Sequence, residues 1–314
     1  MRLFWHHVHL PDIARDAVVA VGNFDGLHRG HQAVIEAAGG LAHAAGARLA
    51  VLTFEPHPRS VFRPADPPFR LTPYRVKVRR LETLGVDFLY LIRFDPAFRE
   101  RSAESFVREV LVADLGARHV VAGWDFRFGR GRDGDVASLT GLGATLGLGV
   151  TGVGPVADGD GQVFSSTRVR DALLGGRPRE AATVLGRAWE IEGRVETGDR
   201  RGRTIGFPTA NVELGDYLRP AFGVYAVRAG VDVGAATVWH DGVANLGRRP
   251  TVGGLAERLE AHLFDFNEDL YGRHLRVQLI EFLRPEQRFE SLEQLRDQIV
   301  RDCRAARAAL AAGH

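Results

Sequence analysis

A single cysteine, Cys303, occurs in the chain, so no intrachain disulfide can form and no cysteine-based zinc spacing exists. It falls in a helical pattern near the end, where a structural place is expected rather than a catalytic one. Lysine is as scarce: Lys77 is alone among 41 Lys and Arg residues. A Walker A loop needs Gly-Lys-Ser/Thr, so that phosphate-binding device is excluded. No apolar run reaches membrane-spanning length, and Met1-Arg2-Leu3-Phe4-Trp5-His6-His7 lacks the apolar core of a signal peptide. A cytoplasmic protein without a membrane partner is therefore expected. A dense basic block is also missing. The arginines are scattered among acids, as in Arg99-Glu100-Arg101 and Arg108-Glu109, and the formal net charge is only +2. Nucleic acid is not expected as a partner.

What is present suits two globular domains: 314 residues, 45% hydrophobic and 25% charged. In the first half, residues 17–21, 48–54, 88–92 and 119–122 are short apolar runs. Residues 32–46, 72–84 and 102–115 carry helical patterns between them. Strands that alternate with helices imply a parallel sheet with right-handed crossovers, and buried parallel strands read as continuous apolar runs. The glycine-rich stretch from Gly141 to Gly154 reads as a helix end followed by another strand. Short helices over 165–174 and 179–185 lead to Gly186, where the texture changes. Strand-like runs at 189–195, 223–227, 236–239 and 275–280 then recur with turn signals between them, as in an all-β barrel or sandwich. A last helix over 292–310 places Leu292, Leu295, Ile299 and Cys303 on one apolar face. The expected domains are residues 1–185 and residues 186–314.

The first chemical signal is Gly22-Asn23-Phe24-Asp25-Gly26-Leu27-His28-Arg29-Gly30-His31. It lies between a strand and a helix, beyond the carboxyl end of the strand, where α/β sheets bind ligands. Gly22, Gly26 and Gly30 let backbone approach a ligand closely. The helix start offers N–H groups and a positive dipole end to an anion. His28 and His31, three apart, share a face of its first turn and can donate to phosphate oxygens as charge develops. A zinc site would need a third ligand that the spacing does not supply. Farther on, Phe164-Ser165-Ser166-Thr167-Arg168-Val169-Arg170 opens a helix. Its hydroxyls either cap that helix or hold phosphates, with Arg170 as a fork.

These segments resemble the Gly-x-Phe-Asp-Gly-x-His-x-Gly-His and Ile-Ser-Ser-Thr-x-Ile-Arg signatures of the nucleotidyltransferase superfamily. They are most similar to the FMN adenylyltransferase module of bacterial bifunctional riboflavin kinase/FAD synthetases. Phe164 and Val169 depart from the second signature without touching a polar position. Phe54-Glu55-Pro56-His57-Pro58, Leu71-Thr72-Pro73 with Lys77, and Gly123-Trp124-Asp125-Phe126-Arg127-Phe128-Gly129 match as well. The resemblance implies a Rossmann-like fold and catalytic roles for His28 and His31. It implies nucleotide or flavin contacts for Gly22, Phe24, Asp25, Gly26, Gly30, Asp125, Ser165, Ser166, Thr167 and Arg170.

A second constellation follows Gly186: Gly198 and Gly202, then Gly206-Phe207-Pro208-Thr209-Ala210-Asn211. The three glycines suit a flap whose N–H groups face phosphates. Thr209 and Asn211 alternate along an extended chain and share a face, and neutral oxygens beside ATP phosphates suit Mg²⁺. The string resembles the riboflavin kinase signature, with Phe207 and Pro208 in the nucleotide-binding part. Ala244-Asn245-Leu246-Gly247-Arg248-Arg249-Pro250-Thr251 and Leu259-Glu260-Ala261-His262 match the same domain, which implies a barrel with a terminal helix. Kinase chemistry needs a carboxylate to orient the attacking hydroxyl. The resemblance gives that part to Glu260, whose otherwise apolar strand would favour proton uptake. The implied reactions convert riboflavin to FMN and FMN to FAD, with ATP as co-substrate and Mg²⁺ as cofactor. Two other readings are a kinase with a degenerate first domain, which intact His28, His31 and Arg170 argue against, and a non-catalytic flavin- or RNA-binding regulator, which only the arginine content supports.

Overall fold

The computed structural model describes residues 1–196, 206–233, 236–251 and 254–312. Two compact units form: Met1–Asp66 with Thr72–Ser165, and Pro67–Leu71 with Ser166–His314.

The first unit is built on six strands: β1 (Arg2–Phe4), β2 (Val18–Val21), β3 (Leu49–Glu55), β4 (Phe88–Arg93), β5 (His119–Gly123) and β6 (Gly149–Val153). Every pairing is parallel and the order is β1-β4-β3-β2-β5-β6. The helices are α1 (Arg29–Ala44), α2 (Pro58–Phe62), α3 (Tyr74–Thr83), α4 (Pro96–Arg99), α5 (Ala103–Ser105), which continues as a π-helical stretch (Phe106–Asp114), and α6 (Val136–Leu146). Alternate strand residues face opposite sides, so the sheet has two cores. Val18, Ala20, Val51 and Leu89 pack with Val34, Ile35 and Ala38 of α1 and Leu81 of α3. Val19, Leu52, Tyr90 and Val120 pack with Phe106, Val110 and Leu139 on the other side. Each such aliphatic side chain stabilises the unit by about 1.5–3 kcal/mol when fully buried. Strand order reverses between β2 and β5, which opens a crevice beyond their carboxyl ends.

The second unit contains α7 (Ser166–Leu174), α8 (Pro178–Leu185) and six strands: β7 (Trp189–Glu196), β8 (Ala210–Glu213), β9 (Gly223–Val233), β10 (Ala236–Thr251), β11 (Gly254–Leu263) and β12 (His274–Pro285). These close into an antiparallel barrel in the order β10-β11-β8-β7-β12-β9. Closure leaves no sheet edge unpaired. Buried Val195, Val212, Leu259, Ala261, Leu246 and Val227 line its inside. A final helix, α9 (Leu292–Ala311), is capped by Ser291 and buries Asp302, Ala306 and Leu310. Ala306 and Leu310 pack on Val224, Ala226, Val243 and Phe264 outside the barrel.

The expected face of this last helix is corrected. Leu292 is 71% exposed, and Leu295, Ile299 and Cys303 are only half-buried. The buried stripe is rotated because Asp302 is drawn inward. Arg284 donates to both its oxygens (2.8 and 2.7 Å), and Gln298 Nε2 donates at 2.8 Å. Cys303 sits beside it. Burial, and then the Asp302 carboxylate, push its thiol pKa up, which suits a structural residue rather than a reactive one.

Candidate functional site

The loop from Gly22 to His28 has an unusual backbone. Phe24, Gly26 and Leu27 all adopt positive φ, at 49°, 89° and 48°. For residues other than glycine this costs on the order of 1–3 kcal/mol each and persists only when the surroundings enforce it. The enforcement is visible. The Gly26 N–H donates to Thr72 Oγ1 at 2.9 Å. Buried Asp25 accepts from the Thr72 N–H at 3.0 Å and from its hydroxyl at 3.3 Å. Lys77 Nζ donates to the Asn23 carbonyl at 2.7 Å and to Thr53 Oγ1 at 3.3 Å. Gln32 Nε2 donates to the Leu27 carbonyl at 2.8 Å. Lys77, the chain's single lysine, is thus a loop clamp. Phe24 and Asp25 are 1% and 2% exposed, so both support the shape of this loop from within.

The loop delivers His28 as the N-cap of α1, with Nδ1 accepting the His31 N–H at 3.3 Å. Nδ1 is then the acceptor, which leaves the proton on Nε2 as a donor. The two imidazoles stack at 3.7 Å and 23°, and His31 meets Phe24 edge-on at 5.3 Å. A Cβ on Gly30 would lie 3.1 Å from the His28 ring, and one on Gly22 would lie 3.2 Å from the Phe24 ring. Both glycines therefore make room for the rings. The same Gly30 position is 3.3 Å from the Phe164 carbonyl, and Arg29 lies over the Phe164 ring at 5.6 Å. Ser165, next in the chain, is in this way brought to the first turn of α1. Across the crevice, Asp125 and Trp124 are exposed beyond β5. Trp124 is 55% exposed and so does not serve as a packing residue. In the Phe54–Pro58 segment, His57 caps α2 by accepting the Arg59 N–H at 3.1 Å. Ser166, Thr167 and Arg170 lie on α7, in the second unit. There Arg170 Nε donates to the Phe69 carbonyl at 3.0 Å.

In the barrel, strand register gathers the second set. Glu196 of β7 is the direct partner of Asn211 on β8, Asn211 of Glu260 on β11, and Glu260 of Asn245 on β10. Directly opposed residues on adjacent strands point to the same side, with Cβ atoms about 4.5–5.5 Å apart. A polar row therefore crosses the outer face. The apolar neighbours of Glu260, namely Leu259, Ala261 and Leu263, are buried on the inside. The expectation of an apolar setting for this carboxylate is thus corrected: strand alternation segregates those residues onto the other face. Asn211 is 8% exposed. His262 anchors the approach to Thr209, with Nδ1 2.8 Å from the Pro208 carbonyl and its ring edge-on to Phe207 at 5.5 Å. Gly206 takes φ 88°, as a turn into this strand requires. Gly198 and Gly202 lie outside the described residues. Among the described residues no group of His, Cys, Asp or Glu forms a metal cage, so a cation here would rely on neutral oxygens and bound phosphate. Thr209 and Asn211 fit a hard cation of that kind.

The sequence did not reveal the clamp by Thr53, Thr72 and Lys77, or the parts of His262 and Asn245. The clamp joins positions far apart in sequence, which no local pattern encodes. Asn245 meets Glu260 through the pairing of β10 with β11, which no local spacing signals.

Comparison with known proteins places the chain among relatives along both units. A family model described as FAD synthetase matches residues 10–168, and one described as riboflavin kinase matches residues 185–310. The bifunctional riboflavin kinase/FMN adenylyltransferase of Escherichia coli K12 is 43% identical over 290 residues, 92% of this chain and 91% of that protein. Its namesake from Bacillus subtilis is 37% identical over 303 residues, 95% of this chain and 93% of that one. A crystal structure from Streptococcus pneumoniae, described as a macrolide-efflux protein, is 32% identical with a TM-score of 0.83, covering 96% of each chain. Among the described residues no helix is long and apolar enough to cross a membrane.

Proposed function

The chain belongs to the family of bifunctional riboflavin kinase/FMN adenylyltransferases, and from that membership we propose how its residues divide the two reactions. It phosphorylates riboflavin to FMN with ATP, releasing ADP. It then transfers AMP from a second ATP to FMN, giving FAD and pyrophosphate. One observation supports the division most: His28 and His31 stand at the first turn of α1 in the first unit, whereas Asn211 and Glu260 are strand partners in the barrel of the second.

Adenylyl transfer is assigned to the crevice beyond β2 and β5. The FMN phosphate attacks the α-phosphorus of ATP in line, and pyrophosphate leaves. No protein nucleophile is needed. His28 Nε2 and His31 donate to phosphate oxygens as charge accumulates, and Gly22, Gly26 and Gly30 let backbone come close. Asp25 and Phe24 hold the loop, and Asp125 faces the nucleotide or flavin. Ser165, Ser166, Thr167 and Arg170 take the β- and γ-phosphates.

Phosphorylation is assigned to the outer face of the barrel. Glu260 accepts the proton of the riboflavin 5′-hydroxyl as that oxygen bonds to the γ-phosphorus. Gly198, Gly202 and Gly206 with Phe207 and Pro208 cover the ATP phosphates, and Thr209 and Asn211 hold Mg²⁺. Bound there, the ion would neutralise charge on the transferring phosphoryl group. The functional boundary is placed between residues 185 and 186, and the enzyme is assigned to the cytoplasm, where its substrates are small soluble flavins and ATP.

Two variants test the division. Glu260→Ala should lower FMN formation by about 10²–10⁴-fold, the usual contribution of a general base, while FAD formation from supplied FMN persists. His28→Ala combined with His31→Ala should do the reverse. Loss of both activities in a folded variant would overturn the assignment.

A further inference from the structure

Glu260 stands between two amides. Asn211 opposes it from β8 and Asn245 from β10, both in direct register. Asn211 is claimed by the phosphate and metal side of the site, whereas Asn245 has no part in it so far. Its Nδ2 lies 3.5 Å from Glu286 Oε1, at the outer limit of a hydrogen bond. Glu286 immediately follows β12 and reaches this amide across Gly247. A Cβ at Gly247 would sit 2.0 Å from Glu286 Oε1 and 3.0 Å from Asn245 Nδ2. The absence of a side chain at 247 is therefore what lets the carboxylate and the amide meet.

We propose that Asn245 is a positioning residue for Glu260, its amide nitrogen tethered by Glu286 so that its second N–H is presented to the Glu260 carboxylate. An Asn amide has two donor hydrogens on one nitrogen. With one turned to Glu286, planarity fixes the direction of the other along the cross-strand row. A carboxylate acting on a hydroxyl must hold one oxygen toward the proton it accepts. A donor on its other oxygen sets that rotamer before substrate arrives. Asn245 acts through Glu260 and need not touch flavin or nucleotide. The inference rests on Glu260 being the base.

Steady-state kinetics of FMN formation by the full chain, with FAD formation from FMN as an internal control for folding, tests this. Asn245→Ala is expected to lower kcat on the order of a hundredfold, the cost of an ångström-scale misplacement, with the KM values for riboflavin and ATP unchanged. Gly247→Ala, which displaces Glu286 and crowds the Asn245 amide, is expected to lower kcat in the same direction by a smaller factor. The decisive variant is the exchange Asn245→Asp with Glu286→Gln. It restores a donor–acceptor pair between the two positions, so a merely structural contact is rescued, while the donor to Glu260 is lost. The expected result is wild-type thermal stability with kcat still depressed. Recovery of kcat in the exchange variant, or Asn245→Ala within twofold of wild type, would overturn the proposal. Glu260→Ala run alongside separates the two readings. If it retains FMN formation, the base assignment itself fails; if it abolishes FMN formation while Asn245→Ala is silent, only the inference about Asn245 fails.

Discussion

Thr72→Val changes one hydroxyl into a methyl of similar volume and leaves the backbone alone. Three hydrogen bonds converge on Thr72: the Gly26 N–H donates to its Oγ1, and its N–H and hydroxyl both donate to Asp25. The substitution removes two of these. The residue is 1% exposed, so water has little access to replace them. Losing the acceptor of a buried N–H costs roughly 1–3 kcal/mol, the desolvation penalty of the orphaned group. The loop is already held at positive φ at Phe24 and Leu27, so it is the place where this cost can be relieved, by relaxing away from the shape proposed above to bind nucleotide. In that case the penalty appears as weaker ATP binding at the adenylyltransferase site, about 5–150-fold for 1–3 kcal/mol. The assay is the KM for ATP in FAD formation from FMN, compared with the KM for ATP in FMN formation. The first should rise and the second should not move. Thr72→Ser, which keeps the hydroxyl, should restore the first. An unchanged KM in FAD formation, or an equal rise in both reactions, would refute the argument that Thr72 sets the loop.

Two further outcomes concern the barrel. Asp302→Ala should destabilise the second unit by about 3–5 kcal/mol, because it leaves the Arg284 guanidinium in a largely buried place without its carboxylate; a urea titration followed by FMN-forming activity measures this. Glu257 accepts from Arg219 at 2.7 Å and Arg248 at 3.2 Å, and Arg219 above all holds its carboxyl below the ordinary 4.5. The folded form thus prefers the ionised acid, so the stabilisation is present at neutral pH, fully so above 4.5, and fades as acid protonates the carboxylate below it. Glu257→Gln should flatten the acid side of the stability profile, and a profile unchanged below pH 4.5 would remove that role.

The parallel sheet was legible because buried parallel strands leave uninterrupted apolar runs, as at Val18–Val21 and Phe88–Arg93. The three-residue edge strand Arg2–Phe4 leaves no such run and went unread. α1 begins at Arg29, three residues before its apolar pattern does, because His28 caps it with a ring nitrogen rather than a hydroxyl or carboxylate. α7 and α8 belong by packing to the barrel's unit although the strand-rich texture starts only after Gly186. Arg179 pairs with Glu281, and the Ala221 N–H donates to the Leu173 carbonyl at 3.0 Å. The candidate side chains were legible in short motifs: His28 with His31, Thr209 with Asn211, and Glu260 by resemblance. What positions them was not. Thr72 and Lys77 act on a loop some fifty positions earlier, and Asn245 meets Glu260 only through strand pairing, so neither relation has a local spacing to betray it.

The claim that two independent sites share one chain is tested most directly by mixing two crippled forms. Glu260→Ala alone and the His28→Ala, His31→Ala double variant alone should each make no FAD from riboflavin and ATP. Combined in one vessel with magnesium, they should make it, because FMN released by the second protein is substrate for the first. A mixture that accumulates FMN but yields no FAD or pyrophosphate would contradict the account.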